Sequence, residues 1–492
     1  MAQFICAIDQ GTTGTTVIIV DEELKVRARV TEEFEQIFPK PSWVEHNPDG
    51  IWASTTSTIA RAQKEAGIAP EDIKAVGITN QRETTVVWDR ETSRPIHNAI
   101  VWQDRRTRGR IQQISDDGHE AMVMERTGLI LDPYFSGTKI EWILDHVGGA
   151  RKRAMAGELA FGTIDSYLVW KLTGGDVHVT DVSNASRTLL MDLHKGEWDT
   201  ELLQLFNVPR PLLPKIVGNS EVYGEVRGVE GLADGTPICG MAGDQQAALF
   251  GQVCFLPGEA KCTYGTGAFL LMNTGSKPVM SQHRLLSTAA WQIDGEMTYA
   301  LEGSAFIAGA MVQWLRDGLG VISEASEIEE IARSVKSSDG VVAVPSLSGL
   351  GAPHWNPGAR GVLWGLTRGT TRAHIARAAL EGIALQNVDI LRAMERDSRK
   401  ELKVLRVDGG ASANDLLMQM QADFLNRKIV RPEMTETTAL GSALMAGLAV
   451  GIFKNLDQIR ETWREDKRFD PNMSEQDRAA HLSLWQQGIS RV

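Results

Sequence analysis

Two stretches of this chain, about half its length apart, repeat one pattern, and the repetition limits the folds open to it. The first is Ile8-Asp9-Gln10-Gly11-Thr12-Thr13-Gly14-Thr15-Thr16, set between the apolar runs 4–8 and 17–20. The second is Lys261-Cys262-Thr263-Tyr264-Gly265-Thr266-Gly267-Ala268-Phe269-Leu270-Leu271. Each reads as strand, Gly/Thr turn, strand. Such a turn offers backbone N–H groups and hydroxyls, the donors a phosphate needs. An acid at the strand end, as at Asp9, can hold the Mg²⁺ that accompanies nucleotide phosphates. A plain hairpin, its threonines serving only strand propensity, would read the same at either place taken singly. Two halves that each open this way predict a duplicated architecture with a cleft between them.

At 492 residues the chain exceeds what one hydrophobic core organises, so two or more domains are expected. Its formal net charge is −12 and it has no basic block, which argues against nucleic acid as a main partner. Cys6, Cys239, Cys254 and Cys262 form no C-x-x-C pair and sit among apolar or small residues, so free buried thiols in a reducing compartment are expected. No basic region followed by an apolar run stands at the N-terminus, and no run reaches eighteen apolar residues. The expectation is a cytoplasmic protein with no secretory signal and no membrane span.

Strands alternate with helices along the chain, which argues α/β. Asn47-Pro48 reads as an N-cap with proline at the first helical position, opening a helix to about Gly67. Strands are expected at 73–79 and 84–88, and helices at 136–147 and 161–172. Residues 251–258 suit a crossing between domains, and we set the boundary there: 1–251 and 252–492. A third Gly-rich turn, Val407-Asp408-Gly409-Gly410-Ala411-Ser412-Ala413-Asn414-Asp415, follows a strand at 404–407 and precedes a helix at 415–425. Gly-Gly at such a junction lets a ligand approach the backbone; a tight turn capped by Asn414 or Asp415 fits equally. No G-x-x-x-x-G-K-[ST], G-x-G-x-x-G, H-E-x-x-H or G-x-S-x-G occurs, so neither a P-loop nor a dinucleotide fingerprint explains the turns.

Taken together, the turns at Asp9, 263–269 and 408–414 resemble the two phosphate segments and the adenosine segment of the actin-like ATPase superfamily. Within it the chain resembles the FGGY carbohydrate kinases. One signature is Tyr134-Phe135-Ser136-Gly137-Thr138-Lys139-Ile140-Glu141-Trp142; the other is Gly361-Val362-Leu363-Trp364-Gly365-Leu366 with the downstream His374-Ile375 and Ala378-Ala379-Leu380-Glu381. A finer resemblance, to the members of that family acting on glycerol, rests on 79–85 (TNQRETT), 98–103 (NAIVWQ), 132–139 (DPYFSGTK) and 242–251 (AGDQQAALFG). The similarity runs from Asp9 to about Asn455.

The resemblance implies two RNase H-like α/β domains flanking a catalytic cleft, with ATP, Mg²⁺ and glycerol as ligands. It makes Arg82, Glu83, Trp102, Tyr134, Asp244, Gln245 and Phe269 the polyol site. The residue types suit that task. A buried hydroxyl left unpaired is costly, Arg82 and Glu83 offer donors and acceptors, and the aromatic faces suit the carbon chain. Asp244 is implied as the catalytic base, and Asp9 with Asp244 as the carboxylates nearest Mg²⁺. Thr12, Thr13 and Gly14 at the first turn, Thr266 at the second, and Gly309, Gln313, Gly410 and Asn414 complete the implied ATP site.

The chain departs from the family in one place: relatives often carry an arginine two or three residues after the Thr-Thr pair, where this chain has Thr15-Thr16. Some relatives bind fructose 1,6-bisphosphate through a Gly/Arg loop before the AGDQQ segment. Here 228–237 holds Glu230 and Asp234 and no base, so a bisphosphate meets repulsion. No histidine lies between His194 and His283, which also removes a histidine for regulatory phosphorylation. The expected reaction is ATP-dependent phosphorylation of glycerol to sn-glycerol 3-phosphate by a homodimer or homotetramer. The alternatives are a family member acting on another small polyol or ketose, such as erythritol or a pentulose, and a non-metabolic actin- or Hsp70-like ATPase.

Overall fold

The computed structural model describes residues 3–356 and 358–492. Its first half is organised by a six-stranded sheet built from β1 (Phe4–Gln10), β2 (Gly14–Asp21), β3 (Val26–Glu33), β4 (Ile73–Asn80), β5 (Ser220–Glu225) and β6 (Pro237–Gly243). The order across the sheet is β5-β6-β4-β1-β2-β3. β1, β2 and β3 form an antiparallel meander, while β4 and then β6 continue the sheet in parallel with β1. The parallel strands are buried nearly throughout, as their continuous apolar runs require.

The second half repeats this plan. β7 (Glu259–Tyr264), β8 (Ala268–Gly275), β9 (Leu286–Ile293), β10 (Glu296–Ala305), β11 (Val404–Asp408), β12 (Ile429–Pro432) and β13 (Glu465–Phe469) form a seven-stranded sheet. Its order is β9-β10-β8-β7-β11-β12-β13. Here too an antiparallel set, β7, β8 and β10, is continued by two strands parallel with the first, β11 and β12. The two Gly/Thr turns therefore join equivalent strands of equivalent sheets, β1–β2 and β7–β8. The duplication expected from the repeated motif is present in the sheet topology.

Helices close both sheets. α1 (Pro48–Ala66) packs on β2 and β3, with Asn47 capping its start and Gly67 its end in the left-handed conformation, as the sequence signals. α2 (Ser136–His146), α3 (Ile164–Leu172) and α4 (Asp244–Gly251) follow in the first half. α5 (Gly309–Asp317), α6 (Arg372–Ser398), α7 (Asp415–Leu425) and α8 (Thr437–Ala449) belong to the second. α8 crosses over to pack on α4, β4 and β6 of the first half, so the two halves share a core that includes Ala247, Phe250, Leu271, Trp291 and Leu444. All four cysteines are free and buried. Among the described residues no helix is long and apolar enough to cross a membrane.

Two expected elements differ. The helix expected at 161–172 starts only at Ile164; Phe161 instead lies in a strand, Leu159–Gly162, paired with Val86–Asp89. A short apolar run fits a buried strand as well as a buried helix, and here the pairing decides it. The strand expected at 84–88 begins at Val86; Glu83 turns the chain at φ 61°, and Thr85 pairs with Ile100 in an isolated antiparallel bridge instead of joining the strand.

Candidate active site

The three Gly-rich turns meet at the C-terminal ends of the central strands, where ligands bind in open α/β sheets. The first turn is closed by Gly11 N donating to Gly14 O at 2.9 Å. Thr12 is half-buried, Thr13 is exposed, and Gly14 opens β2. The second turn, 264–267, anchors α5. Gly309 N donates to Gly265 O at 3.0 Å, and Ala308 N and Ala310 N donate to Thr266 O at 2.8 and 3.0 Å. Gln313 lies exposed on α5, one turn further on. Gly409, at φ 83°, lays the third turn against the backbone of Tyr264; a Cβ there would fall 2.5 Å from Tyr264 O. The adjacent Gly410 is exposed, and a Cβ on it would meet nothing within 4 Å. Internal packing therefore does not demand glycine at 410. Asn414 caps α7 by accepting from Leu417 N at 2.9 Å.

A cavity of about 500 Å³ opens between the halves. Thr12, Thr13, Trp102 and Tyr134 line it from one side, and Thr266 and Phe269 from the other. Trp102 Nε1 donates to Thr12 Oγ1 at 2.9 Å, coupling the aromatic wall to the first turn, and Trp102 meets Tyr134 edge to face at 5.6 Å. Phe306 and Trp355, which sequence reasoning missed, add to this wall.

Behind the cavity lies a buried set of charges. Arg82 and Glu83, usually a solvated pair when adjacent in a loop, are 2% and 1% exposed. The Arg82 guanidinium forks onto Glu302 of β10, donating from Nη1 to Oε2 at 2.6 Å and from Nη2 to Oε1 at 2.9 Å. Its Nε stands 3.2 Å from Asp244 Oδ1 at the start of α4, and Nη2 reaches the Tyr134 hydroxyl at 3.4 Å. Gly243 makes room for this arrangement, since a Cβ there would come within 2.7 Å of the Arg82 side chain. Arg187, fully buried, bridges Glu83 Oε1 at 2.7 Å and Glu302 Oε1 at 3.1 Å.

The electrostatics follow from these contacts. Burial raises the Glu302 carboxyl, but Arg187 and Arg82 outweigh it and hold the group at about 2. For Glu83 burial wins, and its carboxyl lies above the usual range despite both arginines. Burial also lowers the Lys139 ammonium to about 7; it donates to the backbone carbonyls of Glu83, at 3.3 Å, and Tyr134. These bonds, with Ser136 Oγ donating to Glu83 O at 3.0 Å, hold Glu83 in its left-handed backbone conformation.

Asp9, at the end of β1, is half-buried. Burial and then the charges of Asp244 and Glu436 raise its carboxyl to about 7 against the opposing effect of Arg29. A bound divalent cation would relieve the cost that the Asp244 charge adds to ionising Asp9, so the two carboxylates fit Mg²⁺ as hard oxygen donors. Among the described residues no group of three or more His, Cys, Asp or Glu side chains could hold a metal ion. Thr15 and Thr16, where relatives often carry an arginine, are hydrogen-bonded to Ser54 and Thr31, each at 2.9 Å.

The structure thus brings Arg82, Glu83, Tyr134 and Asp244 into one cluster, with Trp102 and Phe269 at the adjoining cavity. It gathers Thr266, Gly309, Gln313 and Gly410 around the second and third turns. Sequence reasoning missed Glu302 and Arg187. Glu302, a charge between Leu301 and Gly303 on a buried stretch of β10, was the available signal, whereas Arg187, between Ser186 and Thr188, offered none.

A duplicated α/β fold with Gly/Thr turns facing a charged cleft is an architecture that carbohydrate kinases share with actin-like ATPases, and likeness to known proteins separates the two. The N-terminal and C-terminal domain profiles of the FGGY family of carbohydrate kinases match residues 4–251 and 260–450. The chain belongs to the FGGY family of carbohydrate kinases. It is 56% identical over 491 residues to a glycerol kinase of Deinococcus radiodurans, covering 100% of this chain and 97% of that protein. It is 57% identical over 493 residues to a glycerol kinase of Myxococcus xanthus, covering 100% and 99%. Among solved structures it is similar to Plasmodium falciparum glycerol kinase with ADP, at a TM-score of 0.94 and 38% identity, with coverage of 100% and 98%. Gluconate kinase from Lactobacillus acidophilus, at TM-score 0.90 and 22% identity over 100% and 98% of the two chains, shares the fold.

Proposed function

We propose that this chain transfers the γ-phosphoryl group of ATP to a terminal hydroxyl of glycerol, giving sn-glycerol 3-phosphate for glycerol catabolism. The observation that carries the reading is the placement of Asp244 beside a buried Arg82, behind a small aromatic cavity that the two phosphate-type turns also reach. The identity of 56–57% to glycerol kinases over the whole chain supports the same substrate.

Phosphoryl transfer asks a protein for alignment and charge neutralisation more than for covalent chemistry. In our reading Arg82, Glu83 and Gln245 pair the polyol hydroxyls, and Trp102, Tyr134 and Phe269 enclose the carbon chain. Asp244 accepts the proton of the attacking hydroxyl as the new P–O bond forms. Thr12, Thr13, Gly14 and Thr266 hold the phosphates through hydroxyl and backbone donors, and Gly309, Gln313, Gly410 and Asn414 face the nucleoside. Mg²⁺, held by Asp9 and Asp244, would neutralise phosphate charge when bound. Because the walls come from both halves, closing them would exclude water, a competing nucleophile.

An ATP-coupled assay across glycerol, erythritol and pentuloses tests the substrate. Turnover highest with another polyol refutes glycerol, and ATP turnover indifferent to every polyol refutes the kinase reading. Asp244→Asn is expected to lower kcat by roughly 10²–10⁴-fold, the usual range for a lost general base. Full activity in that variant would remove Asp244 from the role.

A further inference from the structure

Lys261 is a buried lysine that has no carboxylate against it among the described residues. It lies on β7, and its side chain is fully inaccessible. Its ammonium donates to two neutral acceptors, Thr263 Oγ1 at 2.9 Å and Gln245 Oε1. Of the other cleft cations, Arg82 is ion-paired with Glu302 and Asp244, Arg187 with Glu83 and Glu302, and Arg105 with Asp132, while the Lys139 ammonium is held by the backbone carbonyls of Glu83 and Tyr134. Among the described residues no carboxylate lies within ion-pairing distance of Lys261, and Asp408, Asp244 and Glu302 act on it only through space. Taking an ammonium out of water without a paired anion is expensive, and an anion arriving beside Lys261 would offset that cost.

Its position says which anion. Lys261 reaches across from the second sheet to Gln245, the residue after Asp244, and it stands two residues before Thr263 and five before Thr266 of the second turn. Its ammonium therefore links the residue that follows the candidate base to Thr263 on the strand that leads into a phosphate-type turn. We propose that Lys261 binds an oxygen of the transferring phosphoryl group and neutralises the charge that develops there. This rests on the kinase reading above. In the step, the glycerol oxygen forms a bond to the γ-phosphorus while the bond from that phosphorus to the bridging oxygen breaks. The electron pair leaves on ADP, the hydroxyl proton passes to Asp244, and Lys261 keeps its protons throughout. Burial lowers the Lys261 ammonium, and an arriving phosphate restores the preference for the charged form.

Lys261→Met removes the charge and keeps most of the volume. The expected result is a kcat about 10²–10³-fold lower, the usual loss on deleting one electrostatic stabiliser of a transition state. Titration calorimetry should find glycerol affinity within about threefold of wild type and sn-glycerol 3-phosphate affinity at least tenfold weaker, or about 1.4 kcal/mol. Lys261→Arg should recover part of kcat. A kcat unchanged in the Met variant overturns the assignment. So does a parallel loss of affinity for glycerol and its phosphate, which would make Lys261 only a prop for Gln245. Should the Met variant fail to fold, lysine-selective NMR of the wild type decides: the Lys261 resonance must respond to sn-glycerol 3-phosphate and not to glycerol. Absence of glycerol-dependent turnover in the wild type would instead refute the kinase reading, a separate outcome.

Discussion

Glu302 is the residue on which the two halves of the site depend, and its replacement makes the sharpest test. Its carboxylate sits 2% exposed between two guanidiniums, taking Arg82 at 2.6 and 2.9 Å and Arg187 at 3.1 Å. Folding moves its carboxyl from the usual 4.5 to about 2. A depressed acid contributes stability that is fully present above its unfolded value and is lost as pH falls from about 4.5 through about 2. At ~1.4 kcal/mol per unit, the contribution at neutral pH is about 3 kcal/mol. Breaking a buried ion pair on one side costs a similar ~3–5 kcal/mol, because the abandoned charge stays buried. Glu302→Gln keeps the shape and removes the charge, so it should lose about 3 kcal/mol at pH 7, or roughly 6–12 °C in the melting temperature of a domain this size. Differential scanning calorimetry with and without glycerol reads this directly. Since Arg82 also touches Tyr134 and stands beside Asp244, the variant should also raise KM for glycerol. A melting temperature within about 2 °C of wild type, on the scaling just used, refutes the claim that Glu302 neutralises the arginines.

Three further outcomes are expected. His46 is neutral in the fold, with its ring nitrogens engaged by Gln36 Oε1 at 2.8 Å and Gln81 Nε2 at 3.4 Å, and burial lowers it to about 4. The unfolded chain therefore binds the proton more readily between pH ~6.5 and about 4, so stability should fall as pH drops through that window, and His46→Gln should flatten the slope in pH-dependent denaturation. Gly410→Ala should leave the melting temperature unchanged, since its Cβ meets open space, yet raise KM for ATP by roughly tenfold, or 1.4 kcal/mol; an unchanged KM would put the nucleotide elsewhere. Millimolar fructose 1,6-bisphosphate should leave activity unchanged, because Arg227 is paired with Asp176 and the following loop presents Glu230 and Asp234; strong inhibition in the coupled assay would overturn this.

What could be read before folding was local. The two hairpins announce themselves because a Gly/Thr turn between apolar runs has few other conformations, and Asn47-Pro48 and Asn414 mark helix starts because the cap bond spans only two or three residues. The aromatic wall was readable only through resemblance, since Trp102, Tyr134 and Phe269 in isolation look like core. Of the charge cluster, resemblance named Arg82, Glu83 and Asp244 but not their partners Glu302 and Arg187. Arg82 finds Glu302 220 positions away and Arg187 finds Glu83 104 positions away, and no periodicity encodes such pairs. Phe161 failed for the opposite reason: its neighbourhood is locally apolar in a way that serves strand and helix equally.

The same long-range pairs explain why neither half is self-sufficient. Without the second sheet, the fork of Arg82 and one arm of Arg187 would lose Glu302, and without the first sheet Glu302 would be a carboxylate with no cation against it. Lys261 likewise meets Gln245 only across the cleft, and α8 leaves its own half to cover α4 of the other. A charge costs several kcal/mol to bury unpaired, so each half carries a penalty that only the other removes. The polyol cluster and the phosphate turns are thus coupled by the terms that hold the halves together. A substitution at Arg82, Arg187 or Glu302 should therefore change stability and glycerol affinity together, whereas one at Gly410, outside the cluster, should change nucleotide affinity alone.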